Sequence, residues 1–246
     1  MIPNPIADRM AEIATDNLLE DQQPKTTVTN QTSGENDRDV LDLHVVILIN
    51  YVRKHHVVSY QELAKRVRKL TILLSTPMEP GRDWDPEWCN LDVRVQKNWM
   101  LTTNWKHSAG FQEKNFIHVP VDTVKQLRQL KPDIVFSYEM GMRTMFSGWF
   151  RMFHRNVPLV LVGNMSQNIE QERGLLRRTF RAMVRRLPDY FTYNGPSCKR
   201  YMQSLGIVED RMFPVPYCND DDVVYKGPRV KAQHDRSRRL FYSGSI

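Results

Sequence analysis

The sequence predicts an α/β fold: a mainly parallel sheet with helices on both faces. Short apolar runs recur behind a Pro or a Pro-Asp pair, at Pro132-Asp133-Ile134-Val135-Phe136-Ser137, Pro158-Leu159-Val160-Leu161-Val162-Gly163, Pro188-Asp189-Tyr190-Phe191-Thr192 and Phe213-Pro214-Val215-Pro216. These runs are apolar at successive positions and lack the alternation of a sheet with one wet face. Continuous apolar strands belong where helices cover both faces. Segments of helical period fall between them, as βαβ units require.

Taken in order, Leu43-His44-Val45-Val46-Ile47-Leu48-Ile49 is a buried first strand closed by Asn50. Ser59–Val67 is a helix, with Tyr60, Leu63, Ala64 and Val67 at helical spacing and Ser59 and Glu62 forming a capping box. Leu70–Leu74 is the second strand. In 77–115, Pro77, Pro80, Gly81 and Pro86 interrupt regular structure, and Leu91–Val95 alternates like a half-exposed strand. Four of the five tryptophans (Trp84, Trp88, Trp99, Trp105) lie there, which predicts a long loop or an excursion from the sheet. Phe116–Val119 is a short strand, and Asp122–Leu130 a helix with Val124, Leu127 and Leu130 on one face. After the Ile134 strand come a helix over Met142–Phe153, the Leu159 strand and the longest helix, Glu170–Leu187. The Tyr190 strand, a helix over Ser197–Leu205 ending at Gly206, and a strand around Phe213 complete the alternation.

The ends differ from this middle. Residues 1–40 hold three Lys/Arg against eight Asp/Glu and no aromatic residue, a net −5 in a chain of +7, which leaves +12 on residues 41–246. Such a leader buries too little apolar area to offset its ordering entropy and is expected to be disordered. Residues 219–237 are polar, and Arg239-Leu240-Phe241-Tyr242-Ser243-Gly244 reads as the opening strand of a second domain. The expected organisation is a leader over 1–40, an α/β domain over 41–222, and a linker with the first strand of a missing domain over 223–246.

Composition narrows the function classes. The three cysteines show no CxxC spacing and are expected to be reduced thiols in a cytoplasmic protein. No apolar stretch approaches the roughly 18 residues of a membrane span, so the protein is expected to be soluble or peripheral. No P-loop or G-x-G-x-x-G occurs, which argues against an ATPase or a dinucleotide oxidoreductase. The seven histidines lack metal-ligand spacing. Asp220-Asp221-Asp222 satisfies a D-x-D pattern of metal-holding carboxylates, but its place after a Pro-rich strand argues against that role. No metal is expected.

Ligands of parallel sheets bind at the carboxyl ends of the strands, here after Asn50, Ser137, Gly163 and Thr192. The segment Asn50–His56 carries Tyr51, Arg53, Lys54, His55 and His56, either a phosphate-binding loop or a solvated basic turn. Ser137, Tyr138 and Glu139 stand at the end of the Ile134 run, where a carboxylate orients a hydroxyl, acts as general base, or caps the next helix. Tyr193, Asn194 and Ser197 follow Thr192, with Ser197 placed as a helix N-cap. In Glu170–Leu187, Leu176, Phe180, Met183, Val184 and Leu187 share one face, and Arg177, Arg178, Arg181 and Arg185 the other. That Arg face is solvated surface or a docking patch for anionic lipid headgroups. A nucleic-acid role is disfavoured, since aromatic residues do not interleave with the basic ones.

The order and spacing of these segments resemble the N-terminal domain of family 4 glycosyltransferases of the two-domain GT-B architecture. The matching features run from the Asn50 strand and the Tyr60–Ala64 helix through Lys131–Val135, Val157–Leu161 and Pro188–Thr192. They continue in Ser197 with Tyr201, Leu205 and Gly206, and in Val215-Pro216 followed by Asn219–Val223. The Gly-Gly turn usual in the family is replaced by Asn50–His56, and Asn164 stands where many members have a His. An amide hydrogen-bonds a sugar hydroxyl but takes no proton. The Glu-x7-Glu pair of the family's donor domain has no credible match.

The resemblance implies a Rossmann-like fold and the acceptor-binding half of a retaining, nucleotide-sugar-dependent glycosyltransferase, inactive alone. Its setting would be polysaccharide or glycolipid assembly at the cytosolic membrane face. The nucleotide sugar is then a co-substrate, with a sugar or lipid-linked acceptor as partner, and the Asn50–His56 cations meet a donor pyrophosphate or an acceptor phosphate. The other reading is a non-catalytic Rossmann-like binding or interaction protein.

Overall fold

The computed structural model describes residues 40–80, 88–106, 112–166 and 175–217. The leader, the Asp220–Asp222 triplet, and the linker with its expected second-domain strand lie outside the described residues.

The strands are β1 (Leu41–Ile49), β2 (Val67–Leu74), β3 (Asp92–Val95), β4 (Asn98–Lys106), β5 (Gln112–Pro120), β6 (Ile134–Tyr138), β7 (Leu159–Gly163), β8 (Tyr190–Tyr193) and β9 (Met212–Pro214). The helices are α1 (Lys54–Arg66), α2 (Thr123–Leu130), α3 (Met142–Phe153), α4 (Leu175–Val184) and α5 (Pro196–Ser204). A seven-stranded sheet runs β3-β2-β1-β6-β7-β8-β9, and every neighbouring pair in it is parallel. The strand order reverses between β1 and β6, whose register pairs Val45 with Ile134 and Leu48 with Ser137. This is the expected Rossmann-like α/β fold.

Side-chain parity divides the core. Val45, Ile47 and Ile49 of β1 pack with Val57, Tyr60 and Leu63 of α1 on one face. Val46 and Leu48 pack with Leu127 of α2 and Phe150 of α3 on the other. That second face continues over β7 and β8, where Leu161 and Phe191 meet Val184, Tyr201 and Met202 from α4 and α5. Among the described helices, α1 therefore stands alone against four. Gly163 ends β7 because there is no room for more. A Cβ there would run into the Met202 methyl and lie 2.8 Å from the Thr192 carbonyl oxygen.

Several expectations are corrected. The Phe116–Val119 strand is part of β5, but it pairs antiparallel with β4 as a separate ribbon outside the main sheet. This ribbon is the excursion from the sheet expected over 77–115, and Trp99 and Leu101 on β4 are exposed. α1 starts five residues before Ser59, so the capping box does not form. Ser59 instead lies mid-helix with its Oγ 3.5 Å from the His55 carbonyl, and Glu62 pairs with Lys65 at 2.6 Å. Gly195 caps α5, with Pro196 in its first turn in place of Ser197.

The Arg face of the long helix also divides. Arg181 is buried and donates to the Tyr201 hydroxyl at 2.7 Å, and Arg185 donates to the Leu205 carbonyl. These two tie α4 to α5, so they are not part of a solvated patch. Arg177 and Arg178 are exposed.

Candidate functional site

At a switch point in a parallel sheet, the chain leaves two neighbouring strands in opposite directions and opens a crevice at their carboxyl ends. Here the crevice is a cavity of about 210 Å³. It is lined by Ile47, Phe136, Val162 and Thr192 from the strands, by His55, His56, Tyr60 and Leu63 from α1, and by Tyr217. A smaller adjoining recess is lined by Asn50, Tyr51, Arg53, Glu139 and Tyr217. His56, Tyr138 and Asn164 border both spaces.

The two histidines sit in the first turn of α1, not in a loop. Arg53 is the N-cap, no side chain caps the helix, and no acidic residue lies in its first turn. A helix N-terminus disfavours positive charge. His56 is only 8 % exposed, with its ring stacked on Tyr60 at 5.5 Å and tilted against Tyr138 at 5.6 Å. Burial, helped by His55 and Arg53, pushes its pKa down to about 3. The imidazole is therefore neutral at physiological pH, and its buried Nδ1 has no hydrogen-bond partner among the described residues. His55 is lowered in the same direction by burial and by Arg53.

Two tyrosines complete the polar lining. The Tyr60 hydroxyl donates to that of Tyr138 at 3.0 Å, and burial raises the pKa of both, so they remain neutral phenols. At neutral pH the cavity thus presents aromatic and aliphatic walls with uncharged donors and acceptors. Charge lies at the adjoining recess, with Arg53 and Glu139. Arg53 is exposed and donates to the Tyr51 hydroxyl at 3.2 Å.

Glu139 is the sole carboxylate lining either space among the described residues. Its backbone is left-handed at φ 68°, a conformation that costs a non-glycine residue of order 1 kcal/mol or more and concentrates at functional sites. It does not cap α3, whose N-cap is Gly141 and has no side-chain cap bond.

Beneath the site, Arg143 joins three strand ends. It is 3 % exposed. Its guanidinium donates to the Tyr138 carbonyl at 3.1 Å at the end of β6, to Ser75 Oγ at 3.2 Å after β2, and to Asn50 Oδ1 after β1. Burial brings its pKa down to about 10, so it stays charged. Asn50 is therefore held by Arg143 and fixes the start of the β1–α1 connection.

The structure brings together Asn50, Tyr51, Arg53, His55, His56, Tyr138, Glu139, Asn164 and Asn194 around this crevice. It separates Ser137 and Tyr193 from it. Ser137 is fully buried, with its hydroxyl 2.8 Å from Thr144 of α3. Tyr193 packs in the α4–α5 core, where Lys199 lies 5.6 Å from its ring centre. Each sits one residue from a cavity-facing neighbour, so strand alternation sends it to the opposite face. Tyr60, Thr192, Tyr217 and Arg143 were not singled out from the sequence. Tyr60 was read as part of the apolar face of α1, and nothing local marks Arg143.

No protein-family model matches the chain, and no curated protein matches it in sequence. Among solved structures it is similar to Anabaena HepE in complex with UDP and glucose, with a TM-score of 0.52 at 11 % identity, covering 76 % of this chain and 47 % of that one. The same protein in complex with UDP-glucose gives a TM-score of 0.51 at 11 % identity, with the same 76 % and 47 % coverage. A UDP-N-acetylglucosamine 2-epimerase gives 0.45 at 10 % identity, covering 70 % of this chain and 48 % of that one. The chain thus spans about half the length of the solved structures it matches. At these identities the likeness establishes the fold alone.

Proposed function

We propose that this chain is the acceptor-binding half of a retaining, nucleotide-sugar-dependent glycosyltransferase acting in polysaccharide or glycolipid assembly. The observation that carries the reading is the crevice at the β1/β6 switch point, where neutral His56, Tyr60 and Tyr138 face apolar walls beside Glu139. A sugar ring has that character, with C–H faces that pack on aromatic rings and hydroxyls that need uncharged partners. The HepE complexes support the class of co-substrate, since a fold of this type holds UDP-glucose in that protein.

We assign the roles from the residues that line the two spaces. His56, whose ring lines the cavity, hydrogen-bonds an acceptor hydroxyl, and Asn164 and Asn194 hold other hydroxyls at the rim. With a pKa of about 3, His56 is too weak a base to take a proton at neutral pH. Glu139, the carboxylate that lines the recess, is the base this reading assigns to the acceptor proton. Arg53, exposed at the recess, offers its charge to a phosphate of donor or acceptor.

Calorimetric titration of the full chain with octyl β-glucoside tests the reading. Saturable binding is expected, with affinity about tenfold weaker in His56→Phe, the effect of one lost hydrogen bond. Absence of saturable binding by any of a panel of alkyl glycosides, or equal affinity in the variant, would overturn it.

A further inference from the structure

The crevice has a polar end and an apolar end. His56, Tyr138 and Asn164 border both spaces, so hydroxyl partners gather where the cavity meets the recess. Among the described residues that line the cavity alone, the strands contribute Ile47, Phe136 and Val162, and α1 contributes Leu63 and Tyr60. The first four have no hydrogen-bonding group in their side chains. The Tyr60 hydroxyl is already engaged by Tyr138 at 3.0 Å, and the Thr192 hydroxyl is itself buried. A sugar pushed to that end would bury hydroxyls against side chains that cannot replace their water.

Rings follow one another along this cavity. Tyr217 meets His55 edge-on with ring centres 5.7 Å apart, and His55 meets His56 at 4.2 Å. His56 in turn stacks on Tyr60 at 5.5 Å and tilts against Tyr138 at 5.6 Å. Phe136 adds another ring from β6. Aromatic rings attract one another at centre separations of roughly 4.5–7 Å, with a gain beyond the area they bury. A flat ring entering the cavity would extend this series. The space also suits it, since an apolar cavity of about 150 Å³ takes up benzene and this one measures about 210 Å³. The same volume sets a limit, because a long hydrocarbon tail would have to leave through the mouth.

We propose that the cavity between α1 and the ends of β1, β6 and β7 is an aglycone subsite. It takes an aryl group of about one ring, joined to the acceptor sugar that His56, Tyr138 and Asn164 hold at the border with the recess. This rests on the acceptor-binding reading and narrows its substrate class to sugars that carry an aryl group.

Calorimetric titration of the full chain with methyl, phenyl, hexyl and decyl β-glucosides, below micelle-forming concentrations, tests it. Phenyl β-glucoside is expected to bind about thirtyfold tighter than the methyl compound, from the apolar area of one ring. It should also bind tighter than hexyl β-glucoside, whose six carbons give up rotamer freedom and find no ring–ring contact. Decyl β-glucoside should gain nothing over hexyl. Leu63→Trp and, separately, Val162→Phe put a larger side chain into the cavity from half-buried positions. Each should bring the phenyl-to-methyl affinity ratio to about one, with circular dichroism and urea midpoints showing that the variant is folded. The parent's own ligand series decides the matter even if neither variant folds. Equal affinity for phenyl and methyl glucosides overturns the inference, as does a ratio unchanged in both folded variants. Affinity that keeps rising from hexyl to decyl would make the space a lipid groove and also overturns it. Alkyl glucosides that bind with no preference for phenyl would sink this inference and leave the acceptor site standing, whereas no saturable binding by any glycoside would remove the acceptor site itself.

Discussion

Because His56 is held neutral in the folded chain, stability should fall in mild acid by an amount set by this one side chain. Its ordinary pKa of 6.5 drops to about 3 on folding. Between those values the unfolded chain binds a proton that the folded chain refuses. Stability therefore rises with pH through that window and is lost as pH falls below about 6.5. At about pH 5 the loss is roughly 1.5 pH units at 1.4 kcal/mol each, or about 2 kcal/mol. Since about pH 5 lies well above the folded value, the unfolded pKa sets the size of the effect. His44, 4 % exposed, is also lowered by burial and by Lys69 and adds to the acid sensitivity. The informative quantity is thus a difference between variants. His56→Phe keeps a ring between Tyr60 and Tyr138 and cannot titrate. Urea unfolding at about pH 7.5 and about pH 5 should show the parent losing about 2 kcal/mol more than His56→Phe over this interval. Equal losses in the two proteins would refute the reasoning, because His56 would then titrate normally and could not be the neutral floor of the crevice.

Three further outcomes follow from the packing. Arg143→Ala removes a 3 % exposed side chain that joins the ends of β1, β2 and β6. It should cost about 3 kcal/mol in urea unfolding and abolish glycoside binding, since Asn50 loses its anchor. Gly163→Ala places a methyl 2.8 Å from the Thr192 backbone oxygen, which cannot swing aside. A loss of about 1–3 kcal/mol is expected, and a neutral result would show that β7 and β8 can part locally. A double-mutant cycle of Tyr60→Phe and Tyr138→Phe should give a coupling of about 1 kcal/mol from their 3.0 Å hydroxyl pair, and additive effects would remove that bond from the account.

The sheet was legible because its strands are continuous apolar runs, and a parallel sheet between helix layers demands them. The same property hid the parity of the site. In Phe136-Ser137-Tyr138 and Thr192-Tyr193-Asn194, polarity does not mark which residue faces the crevice. Only the packing against α1 sends Phe136, Tyr138 and Thr192 inward and Ser137 and Tyr193 away. The start of α1 was missed because Lys54-His55-His56 reads as a basic turn, whereas burial of His56, Val57 and Tyr60 draws it into the helix. The β4–β5 ribbon was masked by exposed apolar residues such as Trp99 and Ile117, which give no clean in/out pattern. Arg143 escaped notice because its partners, Asn50 and Ser75, lie far away in sequence and meet it only where the strands end. In α4 the expected apolar face holds at Phe180 and Val184 but not at Leu176 and Met183, and Arg181 turns inward because its hydroxyl partner Tyr201 belongs to another helix.

The central claim is that the crevice at the carboxyl ends of β1 and β6 holds a sugar hydroxyl against His56. Long-range nitrogen–proton NMR of the histidine rings tests this most directly, because it reports the protonation state and hydrogen bonding of each imidazole nitrogen separately. The account predicts that His56 stays neutral from about pH 7.5 to about pH 5, where an ordinary histidine titrates. It also predicts that octyl β-glucoside shifts the His56 ring-nitrogen resonances, while those of His44, on its Thr71 partner at 3.0 Å, do not move. A His56 ring that titrates near 6.5, or ring-nitrogen resonances indifferent to saturating glycoside, would contradict the account.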